Sequence, residues 1–167
     1  MAVIAKNDVK PLMIPTVSLD LTLQGAREFM RLRSEAGLPP TDTKLALWIY
    51  CAESESEARA GAERYMREYA DSALRHYEMT GTHFDGITGY EGYAQRAAAL
   101  RSDPTPFLDG FFARHPWGTP EMVVEKISEL AEQFGTSEIM GVFRYGGMSH
   151  VEAARSMTLF AEHALPE

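Results

Sequence analysis

The apolar positions of this chain follow two rhythms, one of about 3.6 residues and one of short unbroken runs, and these alternate along its length. Leu23, Ala26, Phe29, Met30 and Leu32 recur at helical spacing and predict a helix over Leu21–Ala36, stopped by Gly37 with Pro39 and Pro40. Leu45–Ala52, LALWIYCA, is apolar throughout, with β-branched and aromatic members, and predicts a strand. Trp48 and Tyr50 alternate along it and share one face, while Cys51 takes the other. Ser54 and Glu57 form a capping box ahead of a long helix, Glu55–Met79, whose apolar positions include Ala58, Ala62, Tyr65, Met66, Tyr69, Ala73 and Tyr77.

The glycines and threonines of Gly81–Gly89 break that helix, and an alanine-rich helix follows around Tyr90–Leu100. Asp103–Pro116 holds prolines and four bulky apolar residues, and reads as a packed loop or a short helix. Thr119 as N-cap, Pro120 at the first helical position and Glu121 in the first turn open the next helix. Its apolar face is Val123, Val124, Ile127, Leu130, Ala131 and Phe134, and Gly135 stands where a left-handed cap would end it. Ile139–Phe143 is a short apolar run that suits a strand covered on both faces. The pair Gly146–Gly147 leads to a second capping box, Ser149 with Glu152, at the start of a last helix, Ser149–Leu165. Leu12–Ile14, between Pro11 and Pro15, reads as a further short strand, and residues 1–10 as a lead-in. The order is β-α-β-α-(α)-α-β-α, so the fold class is α/β with right-handed crossovers and a parallel sheet. Three strands make a poor complete sheet, because parallel sheets need helices on both faces or closure into a barrel.

Length and charge narrow the function. A chain of 167 residues is one domain by length and long enough to bury a core. A net charge of −8 argues against nucleic acid as a partner and against an anionic membrane surface. No apolar run approaches the roughly 20 residues that span a bilayer. Lone Cys51 has no internal disulfide partner, and a reducing cytoplasm is the simplest location.

The candidate chemistry lies after the last strand. Tyr145, Gly146, Gly147 and Ser149 leave the carboxyl end of a strand and open a helix, where backbone N–H groups and the helix dipole favour a phosphate. Arg144, just before them, has the fork that grips phosphate or carboxylate. An ordinary tight turn, and a salt bridge for Arg144, are the competing readings. Tyr50 either lines a cofactor pocket or packs in the core. The five histidines show no metal-ligand spacing, and neither a Rossmann nor a Walker fingerprint is present.

Three stretches together, ALWIYCAESESEARAGAERYMREYADSALRHYEMTGTHF, WGTPEMVVEKISELAEQFG and FRYGGMSHVEAARSMTLFAEHALPE, resemble the C-terminal half of a luciferase-like monooxygenase. The resemblance runs from about Leu12 to Glu167 and implies a partial (β/α)8 barrel, with Leu12–Ile14, Leu45–Ala52 and Ile139–Phe143 as its last three strands. It implies a single domain over 1–167 in which 81–116 is a variable insertion. It further implies a flavin-dependent oxidoreductase that uses reduced FMN and O2 on a small organic substrate, or a deazaflavin variant that transfers hydride. Arg144, Tyr145, Gly146, Gly147, Ser149 and Tyr50 would border the cofactor. The family's catalytic half has no counterpart here, so the chain alone is expected to be inactive. The alternative is a non-catalytic half-barrel that associates with itself or with a separate first half.

Overall fold

The computed structural model describes residues 2–7, 9–16 and 18–164. The chain begins with a short helix α1 (Ala2–Lys6) and a strand β1 (Leu12–Met13), followed by helix α2 (Leu19–Glu35). Ser18 caps α2 by accepting from the Leu21 N–H, and Gly37, at φ 69°, closes its far end. Arg33 is buried and donates to the Pro39 carbonyl, which fixes the turn into the next strand.

The expected strand Leu45–Ala52 is a strand in two pieces, β2 (Lys44–Trp48) and β3 (Tyr50–Cys51). The break at Ile49 marks a change of partner. The Lys44 N–H donates to Pro11, whereas the Tyr50 and Ala52 N–H groups donate to Pro116 and Gly118. These are even-numbered residues, so strands β1 and β4 (Trp117–Gly118) lie along the same edge, one after the other. On the opposite edge β5 (Glu138–Val142) pairs in parallel over the whole of β2, from Lys44↔Glu138 to Trp48↔Val142. All the pairings are parallel.

Five further helices follow the reading. Helix α3 (Glu55–His76) ends three residues before the expected Met79, because the chain turns left-handed at Glu78 (φ 48°). Helix α4 spans Glu91–Ser102, and Asp103–Pro116 contains a genuine helix, α5 (Thr105–Arg114). Helix α6 (Pro120–Phe134) ends on Gly135 at φ 58°, the left-handed cap that its glycine predicted. Helix α7 is His150–His163. Among the described residues no helix is long and apolar enough to cross a membrane.

Strand alternation divides the interior into two cores. Leu45, Leu47, Ile49 and Cys51 face α2 and α6 with Met13, Ala26, Val123, Leu130 and Phe134. Trp48, Tyr50 and Ala52 face the other way, under α3 and α5, with Ala58, Ala62, Tyr65, Met66 and Phe111. Here the structure corrects one expectation. β5 is not covered on both faces: Met140 is 51% exposed, and Leu12 and Ile14, on the far side of β2, are 42% and 41% exposed. On the same face Ala46, in the middle of β2 and level with Met140, is 3% exposed, so the open positions are those of the two outer strands. At the amino end of β5 Glu138 pairs with Lys10 at 2.9 Å and Lys44 at 2.8 Å. The two ammonium groups hold its carboxyl down at about 2.

Candidate functional site

The turn from β5 into α7 is built on Tyr145. Its ring is buried, its hydroxyl donates to the Ile49 carbonyl at 3.1 Å, and its carbonyl accepts from the Met148 N–H at 3.0 Å. Burial drives the phenol's pKa upward. Gly146 and Gly147 both have positive φ, 56° and 70°. A Cβ on Gly146 would stand 2.0 Å from the Tyr65 carbonyl oxygen, and one on Gly147 would stand 2.6 Å from the Glu68 carboxylate. The glycine pair is therefore required by the left-handed backbone and by its close approach to α3. Ser149 caps α7 by accepting from the Glu152 N–H at 3.2 Å.

The second half of that capping box is put to another use. The Glu152 carboxylate accepts the Tyr50 hydroxyl at 2.9 Å through one oxygen and the Tyr65 hydroxyl through the other. Glu57, the corresponding partner of Ser54, likewise pairs with Arg155 at 2.6 Å instead of closing its own box. Tyr50 is 5% exposed, and its ring lies against the backbone of α3, where a Cβ on Gly61 would come within 2.3 Å. Desolvation first, then the Glu152 carboxylate, raises the pKa of Tyr50. The junction ties β3, α3 and α7 into one unit beneath the glycine turn.

Trp48 opens a second polar contact in the same core. Its backbone N–H donates to His115 Nδ1 at 3.3 Å, so that nitrogen is unprotonated and the ring is neutral. Burial first, then the neighbouring Arg114, lowers the His115 pKa to about 3. Trp48 Nε1 and His115 Nε2 are buried without a hydrogen-bond partner among the described residues. Arg114 itself reaches back to the Pro15 and Thr16 carbonyls, at 3.0 and 2.9 Å, and anchors α5 over the end of β1.

The six candidate residues thus divide by environment. Arg144 and Ser149 are exposed, and Gly147 with them, whereas Tyr145 and Tyr50 are enclosed and Gly146 is pressed on α3. Arg144 makes no hydrogen bond or ion pair with the described residues, which leaves its guanidinium available beside the α7 N-terminus. Sequence reading missed Glu152 as a junction, although its place in the first turn was plain. It missed His115 altogether, because nothing local marks a histidine that will be buried by α5. Cys51 is buried, with its thiol pushed up to about 11 by desolvation, and is no nucleophile in this setting. Among the described residues no group of three or more His, Cys, Asp or Glu could hold a metal ion.

Solved structures share this arrangement. The monooxygenase RslO1 from Streptomyces bottropensis matches with a TM-score of 0.61 at 24% identity, over 99% of this chain and 44% of that one. The oxygenating constituent of 3,6-diketocamphane monooxygenase, a type II Baeyer–Villiger enzyme from the CAM plasmid of Pseudomonas putida solved with FMN, matches at TM-score 0.60 and 20% identity, over 99% and 44%. The chain carries part of the fold these monooxygenases share. Apo-MsnO8 shows the same part, at TM-score 0.53 and 21% identity, over 97% of this chain and 46% of that one. The chain therefore spans less than half the length of these monooxygenases. No protein-family model and no curated protein matches the sequence.

Proposed function

We propose that this chain forms the C-terminal part of a flavin-dependent monooxygenase barrel of eight βα units, and that it supplies the wall and the phosphate end of an FMN site. The observation that carries this reading is the half-bare sheet. Parallel strands whose second face shows Leu12, Ile14 and Met140 to solvent need a further layer, and in a closed barrel the remaining strands provide it. β1, β2–β3 and β5 would be the last three strands, and residues 81–116 the insertion above the barrel mouth.

When bound, reduced FMN supplies the electrons that activate O2. In this reading Arg144 pairs with the cofactor phosphate, and the backbone N–H groups at Gly147 and Ser149 add the positive end of α7. Tyr145 and Gly146 hold the turn in place from behind, and Tyr50 acts through Glu152 to fix the start of α7. The substrate, a small organic molecule, would enter at the carboxyl ends of the strands, where the βα turns form the barrel mouth. The second reading, a non-catalytic half-barrel that associates with copies of itself, rests on the same exposed apolar face.

A chimera separates the two. The first half of the RslO1 barrel, joined ahead of Leu12, should give a monomer that quenches FMN fluorescence saturably and loses at least tenfold in affinity with Arg144→Gln. A folded chimera with no saturable quenching, or one indifferent to Arg144→Gln, would contradict the assignment.

A further inference from the structure

Outside the junction just described, the end of α3, the loop over 77–90 and α4 line an open recess of about 270 Å³. Its floor is Ala97 and Leu100, both buried, and its walls are Tyr77, Phe84 and Tyr93. The walls are held in place. Arg101 donates to the Gly81 carbonyl at 2.7 Å and the Thr80 carbonyl at 3.2 Å, and stands 3.7 Å from Asp85. Successive turns (Asp85 N–H to Thr82, Tyr90 N–H to Ile87) then place Phe84 against Tyr93, with ring centroids 5.4 Å apart. Tyr90 stacks on Phe84 at 5.6 Å and 8°.

One cation serves this apolar recess. The Arg96 guanidinium lies 5.9 Å from the Tyr93 ring centre, is exposed, and makes no hydrogen bond or ion pair with the described residues. Tyr77 and Tyr93 line the recess and are still 68% and 56% exposed, so much of their apolar surface faces solvent. Apolar walls with one placed polar group are the general form of a small-molecule site, and this volume is at the lower limit of about 300 Å³ for such sites. A single or fused double ring fits that size. A guanidinium at the rim selects a planar anion, since its fork matches a carboxylate in two parallel hydrogen bonds.

We propose that this pocket binds a planar aromatic carboxylic acid, with its ring seated on Ala97 and Leu100 beside Tyr77, Phe84 and Tyr93, and the carboxylate on Arg96. The proposal does not depend on the flavin reading, because none of its residues belongs to the Arg144–Ser149 turn. The probes are indole-3-acetate and its uncharged counterpart 3-methylindole, titrated into the full chain by NMR. Saturable binding of the acid is expected with Kd of about 0.1–1 mM, about three- to fivefold tighter than the neutral ring. Arg96→Gln should abolish that preference and keep the neutral affinity, and Tyr93→Ala should weaken both ligands at least tenfold. Both positions are exposed, so circular dichroism should show unchanged folding. Absence of saturable binding, an acid preference that survives Arg96→Gln, or shifts confined to residues away from Tyr93, Ala97 and Leu100 would overturn it. So would self-association that buries Tyr77 and Tyr93, which would make the recess a contact between copies.

Discussion

Removing Glu152 should unfasten three elements at once, and the size of the effect follows from its two hydrogen bonds. In Glu152→Ala the buried Tyr50 hydroxyl loses its acceptor, at a cost of about 1–3 kcal/mol for an unsatisfied buried polar group. Tyr65, 6% exposed, loses its acceptor as well, and water entering the vacated space offsets part of the sum. A further few tenths go with the negative charge in the first turn of α7, about 0.3–1 kcal/mol. We expect a total of about 3 kcal/mol. Glu152→Gln keeps one acceptor oxygen and should cost about 1–1.5 kcal/mol. Tyr50→Phe removes one donor to a charged acceptor and should cost about 1.5 kcal/mol. Urea unfolding of the two single variants and the double variant closes a thermodynamic cycle, and the pair should be coupled by about 1–2 kcal/mol. Glu152→Ala within about 0.5 kcal/mol of the parent, or strict additivity, would refute the junction.

Three further outcomes follow. His115 has its pKa lowered from 6.5 to about 3, so the unfolded chain binds the proton first and stability is lost as pH falls through that window. The loss approaches about 1.4 kcal/mol per pH unit, and the slope from urea midpoints between pH 6 and 4 should flatten in His115→Asn, whereas an unchanged slope would exclude the buried neutral imidazole. Gly146→Ala, which combines a left-handed backbone with a Cβ 2.0 Å from the Tyr65 carbonyl, should cost well over 2 kcal/mol; Gly37→Ala, at φ 69° with open space around it, should cost only about 1–2 kcal/mol, and equal urea midpoints would remove the packing argument. Leu130→Ala in the sheet–helix core should cost about 2–5 kcal/mol, while Met140→Asp on the bare face should cost about 0.5 kcal/mol or less in the chain alone.

The periodic elements were legible because their signals are local. Ser54, Thr119, Pro120, Gly135 and Ser149 stand at the helix ends of the structure, and Trp48 and Tyr50 do share a face opposite Cys51. What sequence could not supply was the partner. β4 is two residues, too short for any periodicity, and exists only because the end of the long strand needs a neighbour beyond β1. The run Ile139–Phe143 reads as a fully covered strand because its composition suits a barrel, yet the layer over Met140 is not among the described residues of this chain. The glycine pair was read as a phosphate turn; its contact with Tyr65 and Glu68 depends on how α3 crosses the sheet, which no local pattern encodes. Glu152 was visible as a capping residue, but its phenol partners lie 102 and 87 residues away in sequence.

We propose that the face bearing Met140, open in this chain, is covered in a completed barrel. Peroxide oxidation of the methionines, followed by peptide mass spectrometry, reads that face directly, with buried Met66 and Met13 as internal controls. Met140 should oxidise at least tenfold faster than Met66 in the chain alone, and should fall to the rate of Met66 in the chimera carrying the first half of the barrel. Equal rates for Met140 and Met66 in the isolated chain, or a Met140 rate that the added half leaves unchanged, would contradict it.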